Sequence, residues 1–474
     1  MFFRNKLNAN THPSAFLTMA AVLLALSAIP AEAHAQDPFS KNERTNNARD
    51  MAARRRPLIY NSDGAHIFQG EKIRGDGFQY NRATDFRDRP LSLTELLEHV
   101  DEVANSQVTT YVLNGNAYET VLYNSAQERR MGRDVPMEQI RTDPARSTIS
   151  QYNTVLALNA FEAAGIDPFR ALVDRIREHG MEPIAAVRIQ GIHVGGGAAT
   201  RSAWLQTHPE CLLRSPRGSG GGDESAALNF ALPAVRDRKA ALIREFLAAY
   251  DWDGIEIDFQ RFPLFFEAGT ERMNTPLMTE FMIQLRAVVD EVGKTHGRPL
   301  LLAVRVPETP GRCAELGLDP IAWANTGLID FLTLGRFLNQ NNISGGSPPE
   351  IEIDLHAFRS AIERPIPIYG TLNVVYRIQI KDAGDNNREH AHLLTPADFR
   401  REATKLWDEG FDGVQLYNFF MHRARRREPP FFLLQELADR STIRTKPSAE
   451  ERAWLARFPL EEVPVEFREK TGTR

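Results

Sequence analysis

Cysteine is nearly missing from this 474-residue chain: Cys211 and Cys313 are the two it has. At most one disulfide can form, so a small cystine-stapled fold is excluded. A dominant charge is missing too, with 57 lysines and arginines against 62 aspartates and glutamates. That balance lacks the strong field of a nucleic-acid binder or a polybasic membrane anchor, and points to a neutral or modestly charged ligand. No GxGxxG turn, GxxxxGK[ST] loop, HExxH pair or Cys/His metal spacing occurs, which removes the usual nucleotide and zinc signatures. Long hydrophobic runs are also scarce. The longest, AFLTMAAVLLALSAIP, falls short of the roughly 20 residues that a membrane span needs.

What is present near the start has another meaning. Arg4 and Lys6 precede that apolar run, and AEAHAQ follows it, with Ala33-His34-Ala35 in the small-x-small pattern of a signal-peptidase site. Residues 1–35 are therefore expected to be a cleaved signal peptide. The mature protein is then exported, periplasmic or extracellular, with no membrane attachment after cleavage. In that oxidising compartment a Cys211–Cys313 bond is allowed, and spacing alone leaves it open.

Residues 36–56, QDPFSKNERTNNARDMAARRR, have no apolar periodicity and are expected to form a polar, solvated leader. A strand-then-helix alternation follows. Eight strand candidates are PLIYN (57–61), VTTYVLN (108–114), EPIAAVRI (182–189), DGIEIDF (253–259), PLLLAVRV (299–306), DFLTLGR (330–336), IPIYG (366–370) and DGVQLYNF (412–419). Between them run helical patterns such as LSLTELLEHVDEVAN, DPFRALVDRIREHG with its glycine stop, TEFMIQLRAVVDEVGKTHG and PADFRREATKLWDEG. Eight such units predict an α/β fold of the (β/α)₈ TIM-barrel type over 57–441, with long βα loops and an appended polar tail over 442–474.

The fourth strand breaks the apolar rule for strands covered on both faces. Glu256 and Asp258 lie two apart, so they share one face, opposite Ile255 and Ile257. In a barrel the active site lies at the C-terminal strand ends, and polar residues fall at those ends throughout. Asp63 follows strand one, Asn114 strand two, Arg188, Gln190 and His193 strand three. Arg305 and Glu308 follow strand five, Arg336 strand six, and Tyr417 and Asn418 strand eight. These are the candidate substrate-binding positions, with Asp258, Glu256 and Glu308 as catalytic candidates. A satisfied ion-pair cluster, for example Arg188 or Arg305 with Asp258, is the structural alternative. The loop after strand three carries glycine clusters at 195–197 and 218–222 around Trp204 and His208, and reads equally as a substrate lid or a surface loop. No metal or cofactor is expected, although the Asp/Glu pair offers oxygen ligands suited to Ca²⁺.

DGIEIDF resembles the DGxDxDxE signature of family 18 chitinase-like barrels, with Asp253, Glu256 and Asp258 on its first three acidic positions and Gln260 on the fourth, where that family carries its proton donor. Tyr250 to Pro263, the Arg188–His193 segment, Arg305-Val306-Pro307, and Gly317-Leu318-Asp319 with Trp323 also resemble secreted barrels of planctomycete-type bacteria often labelled family-10-like glycosyl hydrolases. The resemblance implies glycosidic bond cleavage by two carboxyl groups. Asp258 would be nucleophile or base, and Glu256 or Glu308 the acid. The alternative is a non-catalytic carbohydrate-binding barrel that has lost its acid, with Gln260 as its support. An oligosaccharide or polysaccharide is the expected partner, and the oligomeric state is left open.

Overall fold

A computed structural model describes residues 51, 54–62, 64–70, 86–144, 148–191, 197–214, 227–335, 353–381, 387–425 and 427–459, with backbone alone for 375–392, 421, 424 and 425. All of these belong to one compact unit, Ala48–Arg474. The expected signal peptide lies outside the described residues, as does the leader up to residue 50. Among the described residues no helix is long and apolar enough to cross a membrane.

Eight parallel strands close into a barrel: β1 (Leu58–Ser62), β2 (Thr110–Asn114), β3 (Glu182–Arg188), β4 (Gly254–Asp258), β5 (Leu301–Pro307), β6 (Phe331–Gly335), β7 (Ile368–Asn373) and β8 (Gly413–Tyr417). Each of the eight predicted strands is there, and β1 seals the barrel by pairing with both β2 and β8. Every residue of these strands is buried, because side chains of one parity fill the interior and those of the other meet the helices. Ile59, Val112, Ile184, Ala186, Leu301, Ala303, Phe331 and Tyr369 form the interior apolar layer. Gly254 opens β4 because a Cβ there would lie 2.5 Å from the Leu301 carbonyl oxygen of the next strand.

Below that layer the floor is sealed by charge. Arg56 donates from Nε (2.6 Å) and Nη2 (2.7 Å) to Glu182, which also accepts from Thr110 Oγ1, and the Arg56 guanidinium lies 5.2 Å from the Phe331 ring centroid. Arg56 is fully buried. The polar leader therefore ends inside the fold rather than in solvent, because this arginine supplies the charge that a buried Glu182 needs.

The predicted helical stretches are helices, ended as their sequences imply. They are α1 (Leu93–Asp101), α2 (Pro168–Glu178), α3 (Pro233–Ala249), α4 (Thr275–Thr295) and α6 (Pro396–Glu409), and before α6 comes α5 (Leu355–Ala361), a short helix without a counterpart among the predicted stretches. Ser92 and Glu95 make a capping box on α1, Thr395 and Asp398 another on α6, and Gly410 closes α6 in the left-handed region at φ 90°. The expected tail is packed over its first part: α7 (Ala449–Arg457) is tied down by Arg400, which donates to Glu436 (2.8 Å) and Glu451 (2.6 Å). Two elements carry no counterpart in the expected strand list, a short hairpin (Asn116–Ala117 with Thr120–Val121) and a longer one (Val375–Lys381 with Asn387–Leu393) that leaves β7 at its rim end.

Candidate active site

The barrel register determines which side chains meet. Arg188, Asp258, Arg305 and Thr333 are neighbours across β3, β4, β5 and β6. One step below, Ala186, Glu256 and Ala303 are neighbours. Asp258 and Glu256 thus occupy successive layers of the interior, at the end of the strands where barrel enzymes carry their chemistry.

Asp258 accepts from Arg305 Nη1 with both oxygens at 2.9 Å, and its Oδ1 also takes the Gln260 N–H at 2.9 Å and the Arg261 N–H at 3.3 Å. Those donors solvate an anion. Glu256 is treated differently. It is fully buried, with Asn61 Nδ2 at 2.9 Å, Gln415 Nε2 at 2.8 Å and Thr333 Oγ1 at 3.1 Å. Burial pushes its carboxyl up to about 7, the Asp258 charge adding to the rise while Arg305, Gln415 and Thr333 oppose it.

Around this pair stand three arginines and one ring. The Arg305 guanidinium lies 3.8 Å from the Tyr417 ring centroid, and Arg261 Nη1 is 3.4 Å from the Tyr417 hydroxyl. Arg188 is buried beside the same hydroxyl, and its pKa is lowered to about 10, by burial first and then by the Arg261 cation. A cavity of about 10 Å³, close to the size of one water, is lined by Asn61, Asn114, Ala186, Arg188, Asp258 and Tyr417. It admits an atom or a small substituent, not a sugar ring.

Asp258, Arg188, Arg305, Asn114 and Tyr417 therefore gather as neighbours, with Glu256 one layer beneath them. Gln190 is placed otherwise. Its Nε2 donates to the Leu228 (2.8 Å) and Leu264 carbonyls, and its Oε1 accepts from Leu228 N (3.0 Å), so the amide holds the β3 loop to its surroundings. The strand ends at Arg188, so strand alternation does not carry Gln190 inward. Glu308, half-buried, lies past the end of β5, where its charge acts on Cys313, and it does not line the cavity. Asn418 adopts φ 59° just after β8 and is buried, its Oδ1 without a hydrogen-bond partner among the described residues. Asp63, His193 and Arg336 lie outside the described residues. Cys211 and Cys313 are both buried and unbonded.

Asn61, Thr333 and Arg261 join the site without having been selected from the sequence, whereas Gln415 is among the polar residues that the sequence places at the end of strand eight. Asn61 had a readable signal, since it shares the inward parity of Ile59. Gln260 is buried, and its Nε2 donates to the Val306 and Gly335 carbonyls, tying the rim ends of β5 and β6 together. Among the described residues no group of three or more His, Cys, Asp or Glu side chains is gathered as a metal site would need.

No protein-family model matches the chain, and no curated protein matches it. Solved structures with a similar barrel include a chitinase from Chromobacterium violaceum (12% identity, 78% of this chain and 98% of that one, TM-score 0.39). Others are the PgaB glycoside hydrolase domain from Bordetella bronchiseptica (12%, 83% and 99%, 0.43) and an α-L-fucosidase from Paenibacillus thiaminolyticus (10%, 81% and 48%, 0.44). At these identities and scores the likeness is one of general architecture.

Proposed function

We propose that the protein is an exported glycoside hydrolase whose carboxyl pair is Asp258 and Glu256. The observation that carries this reading is the unequal treatment of two carboxyl groups on one rim strand. Asp258 lines the cavity and is held by cationic and amide donors, as a nucleophile or base requires. Glu256, enclosed below it, keeps its proton to about pH 7, as a general acid requires. Asn61 touches both environments, lining the cavity and donating to Glu256. The strand-four resemblance to family 18 barrels, and the wider resemblance to family-10-like secreted barrels, supports the same reaction class, and residues 1–35 supply the export signal. The activity follows from site chemistry rather than from the barrel, which hosts many reactions.

Asp258→Asn is expected to lower turnover on a responsive member of a glycan panel by about a thousandfold, because the amide is neither nucleophile nor base. The substitution leaves Arg305 buried without its counter-charge, so rates are compared at a temperature where thermal unfolding shows both proteins folded. Full activity there would remove Asp258 from catalysis. A second reading has its own observation: Gln260 stands where family 18 barrels carry an acid, and its amide is committed to two backbone carbonyls. Glycan binding without turnover, unchanged in Asp258→Asn, would favour that binding barrel.

A further inference from the structure

Gln415 stands in the middle of β8 and is fully buried. A buried amide needs a partner at both of its ends. Here Nε2 donates to Glu256 Oε2 at 2.8 Å, and Oε1 accepts from Thr371 Oγ1 at 3.2 Å. Thr371 is the register partner of Gln415 on β7 and is fully buried as well. Its hydroxyl braces the amide with the N–H end turned to the carboxyl. Glu256 Oε2 also takes Thr333 Oγ1 at 3.1 Å, and Oε1 takes Asn61 Nδ2 at 2.9 Å. Four strands, β1, β6, β7 and β8, thus build the polar setting of one carboxyl that belongs to β4.

The groups that face Glu256 pull its proton in opposite directions. Burial holds the proton on, Arg305 of β5 works against it, and Asp258 on the same strand works with burial. Arg188 of β3 and the Tyr417 phenol of β8 stand in the layer above, on the cavity wall. Gln415 and Thr333 side with Arg305, because a hydrogen bond to a carboxylate is stronger than one to the neutral acid. Of the two amide donors, Asn61 lines the cavity, where an arriving ligand competes for it. Gln415 does not line the cavity, so its bond to Glu256 is sheltered from that competition.

We infer that Gln415, braced by Thr371, is a positioning residue that fixes the Glu256 carboxyl and eases the release of its proton to the substrate. The inference rests on the reading of Glu256 as the general acid. In that step the O–H bond of Glu256 breaks while the glycosidic C–O bond breaks, and the electron pair left on the departing oxygen takes the proton. The carboxylate that remains keeps the Gln415, Thr333 and Asn61 donors.

The test uses the full mature chain with Gln415→Met, Thr371→Val and Thr371→Ser. Methionine keeps the length of glutamine without its donor, valine keeps the shape of threonine without its hydroxyl, and serine keeps the hydroxyl. Two quantities are followed: the infrared titration of the Glu256 carboxyl, assigned by its absence from Glu256→Gln, and the pH profile of kcat/KM on a glycan that the protein cleaves. Losing the donor favours the acid form, so in Gln415→Met the titration should move up by about one pH unit. Thr371→Val should move it the same way by less, and Thr371→Ser should stay with the parent chain. An amide with a merely structural role would lower the melting temperature and leave the titration in place. An unmoved or lowered titration in folded Gln415→Met overturns the inference; where that variant does not fold, Thr371→Val decides in its stead. The alkaline limb of the rate profile should move with the titration. A moved titration without turnover of any glycan, or with an unmoved limb, keeps the hold of Gln415 on Glu256 and removes Glu256 as the acid. Turnover with an unmoved titration keeps the hydrolase and removes the role of Gln415.

Discussion

Gln260 shows how one atom decides what a rim position can do. Its Nε2 hydrogens point at two backbone carbonyls, an arrangement that a carboxylate cannot reproduce. Gln260→Glu is therefore expected to add no turnover and to destabilise the fold by about 1–3 kcal/mol, since two carbonyls lose their donor. The loss should be larger at pH 8 than at pH 5, because ionisation sets negative charge against carbonyl oxygens; thermal unfolding at both values checks it. At this scale the sequence was informative where strand alternation holds, as for Glu256, Asp258, Arg188 and Arg305. It misled at Gln190, two positions on, where the strand has ended and the amide turns to backbone. Asn61 was passed over for Asp63, although the shared parity with Ile59 marks it as inward.

At the scale of elements, the alternation of strands and helices was legible because barrel strands are short apolar runs bounded by turn residues, and the helices carry their own caps. The docking of α7 was not, since it depends on one arginine of α6 reaching acids 36 and 51 positions away. Without Arg400 the buried Glu451 carboxylate loses its guanidinium and, among the described residues, Glu436 keeps only the Arg444 guanidinium, 4.0 Å away. Arg400→Met should cost about 3 kcal/mol and speed amide hydrogen exchange across 449–457 more than in the barrel strands. Equal protection in both proteins would show that Trp454, whose Nε1 donates to the Glu428 carbonyl, suffices as the anchor.

For the whole molecule, two buried groups set opposing slopes of stability with pH. Glu256 has its folded pKa raised from 4.5 to about 7, so the stability it contributes is present below about 4.5 and lost as pH rises through 7. His422, buried among Phe399, Phe419 and Trp454, has its pKa lowered from 6.5 to about 3, by burial first and then by the Arg427 and Arg423 cations. Its contribution is present above 6.5 and lost as pH falls through 3. Chemical denaturation between pH 3 and 8 is expected to show a flatter alkaline limb in Glu256→Gln and a flatter acid limb in His422→Phe; unchanged limbs would assign the slopes to other groups. The charged floor has a consequence for traffic. With Arg56 and Glu182 bolting one end and the apolar layer filling the waist, the barrel is a cul-de-sac, so whatever arrives at the mouth departs by the same doorway.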